Sequence, residues 1–102
     1  MRREAQDPTD VALKRIADMI GRGADASRIQ REAAALISSW SATLEADDMR
    51  ERLDSLREQL AEGVEAAEEQ AGEMDGDKAF ARSLSAMCAA RDAFARAAGT
   101  MA

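Results

Sequence analysis

The chain reads as all-α, a small antiparallel helical bundle or helical hairpin of three to four helices. Three observations predict this. Ala, Leu, Glu and Arg dominate, with no Tyr or His, two Val and one Pro, a usage that favours helix over strand. Large apolar residues recur at helical spacing. Pro8, Gly21, Gly23 and Gly76 punctuate the periodic stretches where helices start and stop.

Asp7-Pro8-Thr9-Asp10 predicts a helix start, with Asp7 as N-cap, Pro8 at the first helical position and Asp10 in the first turn. Leu13, Ile16, Ala17 and Ile20 follow until Gly21-Arg22-Gly23, so the first helix is expected over about 8–21. Ser27 and Gln30 form a capping-box pattern ahead of a stripe through Ile29, Ala33, Leu36, Ile37, Trp40 and Leu44, predicting a second helix over about 28–46. A continuing helix would then present Asp47, Asp48 and Glu51 to the core, so a turn or kink is expected near 46–48, with Asp48 and Glu51 as a cap. A third stripe, Met49, Leu53, Leu56, Leu60, Val64, Ala67, Ala71 and Met74, predicts a helix over 49–74. Its eleven-residue step from Leu53 to Val64 suits a nearly straight helix. Asp75-Gly76-Asp77 stops it and caps the next. The fourth, expected over 78–98, carries Phe80, Leu84, Met87, Phe94 and Ala98 on one stripe, interrupted by Arg91. A parallel row, Ala79, Ser83, Ala86, Ala90, Ala93 and Ala97, would let a neighbouring helix approach closely.

With 102 residues, no repeat and no linker, the chain is expected to be a single domain, 1–102. Alanine supplies 24 of its apolar residues, leaving 22 large ones and Cys88. That is thin for four amphipathic helices, so the core is expected to be completed by self-association, most simply a homodimer, or by a partner protein. The residues expected to form core or interface are Ile29, Leu36, Ile37, Trp40, Leu44, Leu53, Leu56, Leu60, Phe80, Leu84, Met87 and Phe94.

Composition also bounds the chemistry. Without His there can be no Ser/His/Asp triad or Cys/His dyad, and the commonest transition-metal ligand is missing. Carboxylate di-metal bundles use Glu-x-x-His motifs, and Asp75-Gly76-Asp77 is too short a fragment of a calcium loop. No enzymatic activity, cofactor or metal site is expected. The lone Cys88 forms no internal disulfide and has no basic cluster beside it in sequence, which fits an inert buried thiol in a reducing cytosol. No apolar run follows Arg2 and Arg3 and none reaches 18 residues, so neither a signal segment nor a membrane span is expected and the location reads as cytoplasmic. A net charge of −6 disfavours direct nucleic-acid binding.

The charge is unevenly placed. Residues 45–78 hold 13 acids and 4 bases, a net of −9, whereas residues 1–44 carry +1 and residues 79–102 carry +2. Glu58, Glu62, Glu65, Glu69 and Glu73 recur at helical spacing on the side away from the apolar stripe, and no Lys or Arg lies between Glu58 and Asp77. The plainer reading is a solvated helix face. Solvated faces usually mix signs, however, because like charges at this spacing repel. The expectation is therefore a non-enzymatic regulator or inhibitor that docks this carboxylate row on a protein partner with a basic surface. The slightly basic ends could also meet the acidic helix of a second copy.

Other features carry weaker readings. Trp40 lies in an apolar stripe and reads as a core or subunit anchor. Met19, Met49, Met74 and Met87 read as core filler, with an adaptable binding groove as the alternative. Arg91 is expected either to pair with a carboxylate of the third helix or to reach outward past the core. Trp40-Ser41-Ala42, between apolar helices in a chain of 102 residues, resembles the WXG100 family of small secreted helical hairpins. The alternative to the regulator is therefore an assembly adaptor or a secreted helical hairpin resembling that family, acting through apolar faces. Ala42 stands where the family has Gly, the stripe runs through Trp40 to Leu44, and no Tyr is present for the family's carboxy-terminal secretion signal. A third expectation is a nucleic-acid mimic of the phage-inhibitor type, using the same carboxylate row.

Overall fold

The computed structural model describes residues 8–100, which form four α-helices packed as a compact bundle, with no strand among the described residues. They are α1 (Pro8–Gly21), α2 (Ala26–Thr43), α3 (Ala46–Gln70) and α4 (Lys78–Thr100). The expected cap Asp7 lies outside the described residues.

Local chemistry accounts for the boundaries. At the end of α1 the Ala24 amide donates to the Met19 carbonyl and the Gly23 amide to the Ile20 carbonyl, both at 3.0 Å. With Gly23 at φ 89°, this is a Schellman motif, and its usual apolar contact is supplied by buried Ala24 and half-buried Met19. The chain emerges extended at Asp25, whose carboxylate accepts from the Arg28 amide at 3.0 Å. Asp25, and not Ser27, is thus the N-cap, and α2 starts two residues ahead of the expected 28. The motif delivers Asp25 first, leaving Ser27 exposed within the opening turn.

α2 ends at Thr43, short of the expected 46, and the break falls at Leu44–Glu45 instead of 46–48. Leu44 is extended, with its amide still donating to the Trp40 carbonyl at 2.8 Å. Glu45 occupies the N-cap position without a side-chain hydrogen bond, and Asp47 and Asp48 fall in the first turn of α3, where the helix dipole favours them. This break keeps the three acids off the core and brings Met49 into it.

α3 stops at Gln70, four residues before the expected 74. Residues 71–76 continue as tight turns, with the Ala71 amide donating to Glu68 and the Glu73 amide to Gln70, at 3.2 and 3.0 Å. Gly72 lowers helix propensity there, and successive glutamates repel. Gly76 at φ 84° reverses the chain in a conformation that a side chain would strain. The Asp77 carboxylate then accepts from the Phe80 amide at 3.0 Å and caps α4. Replacing Asp77 with Ala is expected to cost about 1 kcal/mol in a urea unfolding series. A loss below a few tenths of a kcal/mol would show that this cap contributes nothing.

α4 organises the bundle. It packs extensively against both α3 and α2, which make few close approaches to each other. Ser41, Leu44, Ala46, Met49, Ala97 and Thr100 line one cavity, so the end of α4 reaches the junction of α2 and α3. The small-residue row makes this insertion possible, since Ala86 and Ala90 are fully buried. On the α3 side, a Cβ at Gly63 would lie 3.1 Å from the Met87 sulfur. Helix α1 touches all three other helices, contributing Thr9, Ala12 and Ile16 to the interior.

Candidate functional site

Glu58, Glu62, Glu65 and Glu69 are all exposed on α3, and exposed Glu73 lies beyond the helix in the turns that follow. Among the described residues none of the five forms an ion pair. The bases of α3 lie in its first half: Arg57 pairs with Asp54 at 3.5 Å, and the Arg52 guanidinium sits 5.2 Å from the centre of the Trp40 ring. Toward the carboxy-terminal end the last turn has no basic residue, although the dipole there favours positive charge. Each like-charged pair at helical spacing costs roughly 0.2–0.5 kcal/mol. The row is therefore mildly unfavourable for the fold that carries it.

Arg91 does not bond to an α3 carboxylate. Its Nε donates to the adjacent Asp92 at 3.0 Å, and that hydrogen bond is the chief cause of a guanidinium pKa raised above its ordinary value. Glu68 of α3 adds a weaker pull through space. Further ion pairs join Arg15 to Glu32, which ties α1 to α2, and Arg22 to Asp18 at 3.3 Å. Cys88 is a free, half-buried thiol, more accessible than the buried one expected.

The apolar residues divide into two groups. Ile29, Trp40, Leu53, Leu56, Leu60 and Phe94 are buried in one cluster, with Leu36, Ile37, Leu44 and Met87 partly buried against it. Trp40 and Phe94 stack with ring centroids 6.3 Å apart, which makes Trp40 a core anchor within this chain. Phe80 and Leu84 do not join that cluster. They are half-buried at the opposite end of the α3–α4 hairpin, lining a depression of about 350 Å³ with Ala71, Met74 and Ala81, and with exposed Asp75, Asp77 and Lys78. Sequence spacing assigned Phe80 and Leu84 to core or interface and did not reveal that they share this depression. The available signal was the absence of any large apolar residue at 67–73 to face them.

Val11 is the one exposed large apolar side chain among the described residues. Among the described residues no helix is long and apolar enough to cross a membrane. Among the described residues no group of three or more His, Cys, Asp or Glu is placed to hold a metal ion. No family model matches the chain, and no curated protein or solved structure is significantly similar to it. α2 runs straight through Trp40-Ser41-Ala42 to Thr43, so the turn does not fall at these residues.

Proposed function

We propose that this chain is a non-enzymatic binding protein, a regulator or inhibitor that docks on the basic surface of another protein through the carboxylates of α3. The observation that carries this reading is the exposed row Glu58, Glu62, Glu65 and Glu69 of α3, continued by Glu73 in the turns beyond it, one-signed and without ion-pair partners among the described residues. Such a row orients and accelerates encounter with a positively charged surface. The apolar-face adaptor has less support, because among the described residues only Val11 is exposed among the large apolar side chains. A nucleic-acid mimic would use the same row and differs only in the partner it takes.

The test is affinity capture from the native cell, identification of the partner by mass, and titration with the purified partner. Replacing Glu62, Glu65 and Glu69 together with Lys is expected to abolish the complex while leaving the helical circular-dichroism signal intact. Raising salt from about 50 to about 300 mM is expected to weaken wild-type binding at least about tenfold, since exposed charges are screened over a shorter length. Affinity unchanged by both would overturn the reading.

A further inference from the structure

We infer that the depression between the end of α3 and the start of α4 receives a single large apolar side chain from the partner, flanked in the partner's sequence by Lys or Arg. The inference rests on the reading that the α3 carboxylates bind a basic protein, and it names the segment they would hold. Two independent features meet here. Of the residues expected to form core or interface, Phe80 and Leu84 alone are left outside the main cluster, and with Met74 they line a concave, half-exposed apolar surface. Six carboxylates, from Glu65 to Asp77, occupy this part of the chain without an intervening base, and Asp75 and Asp77 line the depression, with Lys78 as its one base.

An apolar contact by itself would suit a second copy equally well. Charge decides between them. Two copies pairing these depressions about a two-fold axis would bring together two segments that each carry six carboxylates from Glu65 to Asp77 against Lys78 alone, and such an excess of like charge is costly. A basic segment instead meets carboxylates around the place where its apolar residue enters. The apolar contact would fix register, while the row on α3 supplies the longer-range attraction.

Two synthetic peptides of about ten residues test this, each lysine-rich with one central residue, Leu in the first and Ser in the second. Binding of the fluorescently labelled peptides is followed by anisotropy. The wild-type chain is expected to bind the Leu peptide about tenfold more tightly, the gain from burying one large aliphatic side chain. That gap should close in Phe80→Ala and also in Ala81→Arg, an exposed site where a long side chain fills the depression without touching the core. The triple Glu-to-Lys variant should weaken both peptides alike and preserve their ratio. If there is no gap in the wild type, or the gap persists in both variants, the depression is not the anchor site, and the carboxylate reading survives as long as the triple variant still weakens both peptides. Peptide binding indifferent to the triple variant overturns the carboxylate reading itself. A mass that rises with concentration in the wild type and not in Ala81→Arg overturns the inference in favour of a second copy.

Discussion

Trp40→Ala is expected to lower the free energy of unfolding by about 3–5 kcal/mol, read as a shifted midpoint in urea at unchanged helical signal. A domain of this size holds roughly 5–15 kcal/mol in total. Trp40 is only 9% exposed, stacks on fully buried Phe94, and carries the Arg52 guanidinium above its ring. Truncation removes three kinds of contact at once: dispersion with the α4 ring, burial against the main cluster, and the cation–π contact to α3. Arg52→Ala isolates the last and should cost about 0.5–2 kcal/mol. A loss under about 1 kcal/mol for Trp40→Ala would show that this side chain serves an external interface and not the core.

Ile16→Ala is expected to be nearly as damaging, at about 2–5 kcal/mol, and in a more local way. Ile16 is the one large side chain of α1 that is fully buried, while Leu13, Met19 and Ile20 pack only partly buried against the core. The Arg15–Glu32 pair joins α1 to α2, but an exposed ion pair adds little, with a median near 0–1 kcal/mol. Hydrogen exchange should therefore show α1 amides losing protection first in the variant, ahead of α4. Equal protection of α1 and α4 would mean that α1 is held by something other than Ile16.

Much of this arrangement was legible beforehand. The stripe from Met49 to Val64 is buried throughout, because a side chain every three to four residues returns to one face of a helix whatever lies opposite. Gly76 and Asp77 act as their residue types suggest, one taking the left-handed conformation and the other capping α4. The exposure of the glutamate row follows from its offset from that stripe.

Other features needed the tertiary structure. Asp25 and Ser27 are both good caps, and the Schellman closure at Gly23 set where α2 begins. Arg91 had α3 carboxylates within conceivable reach, yet a 3.0 Å bond to its own neighbour Asp92 was available. Periodicity marked Phe80 and Leu84 as core or interface, and the structure places them in a surface depression outside the main cluster.

The sequence by itself determined that the chain is helical, which side of each helix is apolar, and that the stretch from Glu58 to Asp77 carries negative charge only. Only the tertiary structure decided which apolar stripes meet. It placed α4 between α2 and α3, seated Ile16 in the main core and left Phe80 and Leu84 outside it. The physical reason is that periodicity reports the direction of a side chain around its own helix axis, whereas burial requires another surface to face it. Small residues at Ala86 and Ala90 admit that surface closely along the middle of α4. Beyond Val64 the facing segment offers only alanine and Met74, and the last apolar residues of the hairpin remain half-exposed.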